Sequence, residues 1–217
     1  MNPLLIFHSL AFAAALLFLP VSPVVKTPSS FYPLHIGSSV TQANSKWTID
    51  KSHSNVKFTV THMVVSETDG NFKIFGGSME SSKSDFSDAK IEFSVDVKSI
   101  NTENENRDKH LKGDDFFNAE KYPQMKFVST SFTPTGDKKY TLSGNLTIRD
   151  VTKPVVFDVV YGGSVNDRGG VKAGFKATTT INRFDYNLKW DKMTEAGGLV
   201  VSKEVNITVN VELTKKS

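Results

Sequence analysis

The chain has 217 residues, no cysteine, and 26 Lys or Arg against 23 Asp or Glu, a formal net charge of +3. Without cysteine there is no disulfide, no zinc–thiolate site, no thiol nucleophile and no lipoprotein anchor. Lysines and acidic residues are interspersed, with no basic block to track phosphates, so nucleic acid is not an expected partner.

Leu4–Leu19, LLIFHSLAFAAALLFL, is an apolar run broken only by His8 and Ser9. It is shorter than the ~18–20 residues that span a bilayer as a helix. The run reads as the apolar part of a secretory signal peptide, although no Lys or Arg precedes it; a short membrane anchor is the alternative. From Pro20 to about Asn44 the chain is rich in Pro, Ser, Thr and Val without a period, which marks a linker or a discarded segment. Residues 1–43 are therefore expected to be a signal peptide or short anchor plus linker, and residues 44–217 one domain lying outside the cytoplasm. Roughly 170 residues suffice for a stable core without metals or disulfides.

From Trp47 the rhythm has period two. Val56, Phe58 and Val60 alternate with Lys57, Thr59 and Thr61, and Phe72 and Ile74 follow a turn expected at Asp69-Gly70. Ile91, Phe93, Val95 and Val97 alternate with Glu92, Ser94, Asp96 and Lys98, the cleanest strand pattern in the chain. Beyond a central break, Met125 and Phe127 lead to Phe132, and Gly136-Asp137 marks a hairpin. Tyr140 to Ile148, Val155 to Tyr161, Val171 to Ile181 and Val205 to Leu213 continue the alternation.

The central break is Ser99–Pro123. Asn101 or Thr102 is the expected N-cap of a polar helix running to Lys112, with Gly113 at its stop. Phe116, Phe117 and Tyr122 follow and are placed to cover the end of something hollow.

About eight one-sided strands, mostly in hairpin succession, must close on themselves or on a second sheet. An eight-stranded antiparallel barrel with a short helical insertion around residues 101–120 satisfies this. The strand pattern alone fits a filled β-sandwich equally well. Gly76, Gly77, Gly144, Ala173, Gly174 and Ala177 within strands favour the hollow form, by leaving room or permitting bends.

Ordered segments along the chain resemble the YceI-like family. They are Trp47-Thr-Ile-Asp50 with His53-Ser54, Val56-Lys-Phe58-Thr-Val60-Thr-His62, and Gly70-Asn-Phe72. Next come Ser99-Ile100-Asn-Thr102, Arg107-Asp108-Lys-His110-Leu111, Asp115-Phe116-Phe117 and Tyr122-Pro123. Gly144-Asn-Leu146-Thr-Ile148 with Val151-Thr-Lys153, Gly174-Phe175-Lys-Ala177 and Ile181-Asn-Arg183-Phe-Asp185-Tyr186 complete the set. Asp150 stands where the family often has Gly. The resemblance spans Trp47 to about Leu213 and implies a periplasmic or secreted lipocalin-like barrel that binds a polyisoprenoid or another long-chain lipid.

Phe58, Phe72, Phe93, Phe127, Phe157 and Phe175 lie on the apolar phase of six strands. Core filling is the commoner use of Phe; the resemblance instead implies that they line a lipid cavity together with Val95, Phe116 and Phe117. Arg107, Asp108 and His110 read either as a solvated helix face with weak ion pairs or, with His62, as the mouth or head-group end of that cavity. His35, His53, His62 and His110 form no close metal-ligand pair, and Asp50, His53 and Ser54 are too near in sequence to converge as a triad. The expected function is non-catalytic binding, storage or transport of an isoprenoid, such as a quinone, or another amphiphilic lipid. It carries no cofactor, metal or catalytic residue, and involves transient membrane contact. The rival readings are an enzyme acting on a bound lipid and a filled interaction module; a monomer and a dimer both remain open.

Overall fold

The computed structural model describes residues 44–216; the apolar N-terminal run, the linker up to Ala43 and His35 lie outside the described residues. Ten antiparallel strands form one sheet: β1 (Ser45–His62), β2 (Ser66–Phe72), β3 (Phe75–Ser81), β4 (Lys90–Asp96), β5 (Ile100–Asn101), β6 (Gln124–Gly136), β7 (Lys139–Ile148), β8 (Val151–Asp167), β9 (Gly170–Asn182) and β10 (Val201–Lys215). From β6 to β10 each strand pairs with the next, and β10 returns to β1 from Trp47↔Lys215 to His62↔Val201. That last ladder closes the sheet and pairs the edge that β10 would otherwise expose.

Ten strands make an eight-position barrel. β2 and β3 share one edge of β1, with β3 along Ser45–Thr48 and β2 along Val56–His62. β5 continues the line of β4 and pairs only with β2. The break between β2 and β3 falls at Lys73-Ile74. Ile74 is exposed there, its N–H donating to the Ser99 hydroxyl (3.0 Å) and its carbonyl accepting from the Asp96 N–H (2.9 Å). Among the described residues no helix is long and apolar enough to cross a membrane.

One expected turn moves. Asp69-Gly70 lies inside β2, opposite Thr59 and Phe58, and the chain reverses at Met63–Val65. Gly70 is needed for close approach. A Cβ built on it would lie 2.2 Å from the Phe58 ring.

The alternation turns one face of every long strand inward. In β7, Tyr140, Leu142, Gly144, Leu146 and Ile148 are buried while Lys139 and Asn145 are exposed. One end of the ring is stoppered by the loop between β3 and β4. There Phe86 stands edge-on to Trp47 (5.6 Å), Tyr161 (5.6 Å) and Phe175 (5.3 Å), and Tyr140 donates to the Asp85 carbonyl at 3.0 Å.

Asp88 shapes that loop, accepting from the Ser81 hydroxyl (2.6 Å), the Ser82 N–H (2.9 Å), the Lys83 N–H (3.2 Å) and the Ser82 hydroxyl. The Ser81 and Ser82 hydroxyls hold its carboxyl well below the usual carboxylate range. A depressed folded pKa means the contribution is full above the unfolded value of 3.8 and lost as pH falls through the folded one. Asp88→Asn is therefore expected to lower Tm at neutral pH, with the gap narrowing only below about pH 4. Paired melting curves from pH 7 downward check this; a gap independent of pH would contradict it.

Candidate functional site

The opposite end of the barrel is covered by the insertion between β5 and β6. Its helix α1 (Glu105–Lys112) starts later than expected. Asn104, not Asn101 or Thr102, is the N-cap, accepting from the Arg107 N–H at 3.0 Å. Thr102 is buried one turn earlier, its N–H and hydroxyl donating to Asp108 Oδ1 (2.9 and 2.6 Å). Arg107 adds two donations to the same residue, Nε to the hydroxyl (2.8 Å) and Nη2 to the carbonyl (2.7 Å). Asp108 thus turns back to Thr102 instead of forward to Lys112, and Arg107 is fixed against the β5 end of the helix.

Gly113 ends α1, and the Asp114–Phe117 turn folds over the barrel. Arg149, in the β7–β8 turn, clamps it. Its Nη1 donates to the carbonyls of Asp114, Phe116 and Asn187 (2.9, 2.9 and 2.8 Å), and its Nη2 meets Asp114 Oδ1 at 3.1 Å. Phe116 packs on Trp190 (5.8 Å), and His110 stands edge-on to both rings while its Nε2 lies 3.0 Å from Asp115 Oδ2. Phe117 stands edge-on to Phe72.

Between the Phe86 stopper and this cover lies a cavity of about 400 Å³, within the usual range for small-molecule sites. Phe58, Phe72, Phe93, Val95, Phe116, Phe117, Phe127, Phe157 and Phe175 all contribute to its wall. His62, Arg107 and His110 also line it, at the end where β1, α1 and the chain after β9 meet. The inward residues of β10, Val205, Ile207, Val209 and Val211, are only half-buried because they face this space. The interior is hollow.

The glycines keep it so by an unexpected route. Gly77 and Gly144 let phenylalanine rings lie back against the wall. A Cβ on Gly144 would come within 2.4 Å of the Phe127 ring and 2.5 Å of the Val128 carbonyl. One on Gly77 would come within 2.3 Å of the Glu92 carbonyl and 3.1 Å of the Phe93 ring. Gly76 and Gly174 have no such neighbour.

Sequence reasoning missed Trp190 and Arg183. Arg183 opens the 3-10 turn after β9 and is 3% exposed. It donates Nε to the Ser202 carbonyl (2.9 Å), Nη1 to those of Leu188 (3.0 Å) and Trp190 (2.6 Å), and Nη2 to that of Val201 (3.1 Å). These bonds fix the Leu188–Ser202 segment, which carries Trp190, Val200 and Val201 into the cavity wall. Trp190 sits in the polar stretch Lys189-Trp-Asp-Lys192, where no periodicity marks it; Arg183 was visible only as part of a family segment.

On the outside of the barrel, Asp50, His53 and Glu212 place ligand-type atoms within 4.8 Å of one another. The Lys172 ammonium already bridges Asp50 (3.3 Å) and Glu212 (2.7 Å), supplying the cation this group needs. Hydrogen bonds from Ser52 and His53, with Lys172 adding, hold the Asp50 carboxyl well below the usual range. Ser54 donates to the Asp50 backbone carbonyl (2.6 Å), not to His53. The group is an ion-pair network at the β1 irregularity between Asp50 and Asn55.

Fold and cavity together define a small closed antiparallel barrel with a hollow, mainly apolar interior and with His62, Arg107 and His110 at one end. The YceI-like domain family matches residues 47–213, and the chain belongs to that family. A UPF0312 protein of Pseudomonas putida is 36% identical over 196 residues, covering 86% of this chain and 97% of its own. The crystal structure of the Campylobacter jejuni YCEI protein is 32% identical with a TM-score of 0.62, covering 78% of this chain and 97% of that one. A polyisoprenoid binding domain from Saccharophagus degradans shares the fold at 14% identity and a TM-score of 0.56, over 78% of this chain and 98% of its own.

Proposed function

We propose that the barrel binds one long-chain isoprenoid, such as a quinone, or another amphiphilic lipid, for storage or transport outside the cytoplasm and without chemical change. The observation that carries this is the hollow: a space of about 400 Å³ walled mainly by apolar side chains, with His62, Arg107 and His110 together at one end. The hydrocarbon would lie among Phe58, Phe93, Phe127, Phe157 and Phe175, with the head group towards His62, Arg107 and His110. The polyisoprenoid binding of the Saccharophagus domain, on the same fold, supports the ligand class.

Magnitudes favour a lipid over a small polar ligand. About 20 buried methylenes at ~0.8 kcal/mol each offer ~16 kcal/mol gross, before association and ordering costs. One neutral hydrogen bond offers ~1 kcal/mol. Such a site selects by chain length and shape, and only weakly by head group. An enzyme reading would rest on the His110–Asp115 pair and would require turnover of the bound lipid that His110→Ala abolishes while binding persists.

The test is a native mass spectrum of freshly purified residues 44–217, the unit within which the ring closes. One lipid-sized adduct per chain, removed by solvent extraction and regained on exposure to an isoprenoid, is expected. A bare mass that takes up no isoprenoid would overturn the reading.

A further inference from the structure

The turn between β1 and β2 is built from residues that its backbone disfavours. Met63 and Val64 have φ of 51° and 66°, and the Val65 N–H closes the turn on the His62 carbonyl at 3.2 Å. Two successive positive φ values make the mirror-image hairpin turn that Asn-Gly or Asp-Gly forms easily. Methionine is strained there, and β-branched valine more so. Packing does not offset the strain, because Met63, Val64 and Val65 are 47%, 81% and 85% exposed.

A fourth apolar side chain belongs to the same rim. The Met63 N–H donates to the Val200 carbonyl (2.8 Å), and the Val200 N–H donates to the Lys192 carbonyl (2.9 Å). Met193, bridged to Leu199, is therefore carried on the adjoining hairpin and is 54% exposed. The segments that bear this ridge also line the cavity, through Val60, His62, Val200 and Val201. The ridge stands at the end of the cavity lined by His62, Arg107 and His110.

We propose that Met63, Val64, Val65 and Met193 form a docking ridge that inserts into the interface of a lipid bilayer and seats the cavity mouth on it. A lipid could then pass between bilayer and barrel without drawing its hydrocarbon through water. That transfer step rests on the lipid-binding reading above; the docking itself does not.

A bilayer suits this surface better than a protein does. Four side chains on a narrow tip cannot supply the ~800 Å² per partner of a stable protein interface. A bilayer boundary accepts apolar side chains to a depth of ~5–10 Å. The nearby charges offset one another, with Lys189, Lys192 and Lys203 among Glu67, Asp191, Glu195 and Glu204. Docking should therefore need no anionic lipid and resist added salt.

The test is co-sedimentation of residues 44–217, which omit the apolar N-terminal run, with phosphatidylcholine vesicles containing no isoprenoid. The double variant Met63→Asn, Val64→Gly relaxes the turn, so its Tm should rise while vesicle partitioning falls by about tenfold or more. Its lipid adduct in a native mass spectrum should persist. Phe93→Trp, which crowds the cavity, should keep vesicle binding whatever it does to the adduct, separating failure of docking from failure of the lipid reading. The proposal is overturned if the wild-type chain does not sediment with vesicles, if the double variant partitions like wild type, or if high salt abolishes the binding. Concentration-dependent dimerisation lost in the double variant, without vesicle binding, would reassign the ridge to a second copy of the chain.

Discussion

Arg183→Ala is expected to lower stability by at least about 3 kcal/mol and to release the chain from Leu188 to Ser202. The guanidinium is 3% exposed and donates to four backbone carbonyls in that stretch. Truncation would remove charge-assisted bonds of roughly 1.5–3 kcal/mol each and leave the carbonyls to find water. It would also remove the stack of the guanidinium on Phe184, 4.2 Å from the ring centroid. Lysine carries the charge but not the planar fork, so Arg183→Lys should recover only part of the loss. Denaturant unfolding gives the size of the effect, and hydrogen exchange of residues 187–202 gives its place. A loss below 1 kcal/mol, with exchange unchanged in that segment, would show that the latch lies elsewhere.

Arg149 and Arg183 show why the cover of the cavity was hard to read from sequence. Each holds the cover mainly through main-chain carbonyls, which every residue has; only Arg149 also meets a side chain, that of Asp114, 35 residues away in sequence. The wall was easier. Strand alternation has period two, so one apolar residue fixes the inward phase of its neighbours, and Phe58, Phe93, Phe127, Phe157 and Phe175 all face the cavity. Whether that face enclosed a filled core or a hollow did not follow from alternation, because both present the same pattern.

Turns were the weakest part. Asp69-Gly70 carries a strong turn signature yet lies in β2, because Gly70 serves the Phe58 ring. The true reversal, Met63–Val65, has no turn residue at all. Phe86 was a legible clue left unused. A lone aromatic in Ser-Lys-Ser-Asp-Phe-Ser-Asp has no strand of its own, and it closes the barrel end. At α1, Asn104 takes the cap because Thr102 is engaged by Arg107 and Asp108, a contact that forms only once the chain has turned.

The second large effect belongs to Phe157. Its ring is buried, stands edge-on to Phe127 at 5.5 Å and forms part of the cavity wall. In a filled core, Phe→Ala costs about 3–5 kcal/mol through the void it leaves. At the wall of an occupied hollow, the bound lipid takes up part of that void, and the cost shrinks. The measurement is thermal unfolding of wild-type and Phe157→Ala protein, each delipidated and each with the same excess of isoprenoid, so that ligand stabilisation is matched. The lipid-binding account predicts that the drop in Tm caused by the substitution is clearly smaller with lipid than without, and that lipid uptake changes in the variant. Equal drops in the two states, together with unchanged lipid binding, would place Phe157 in an ordinary core and contradict it.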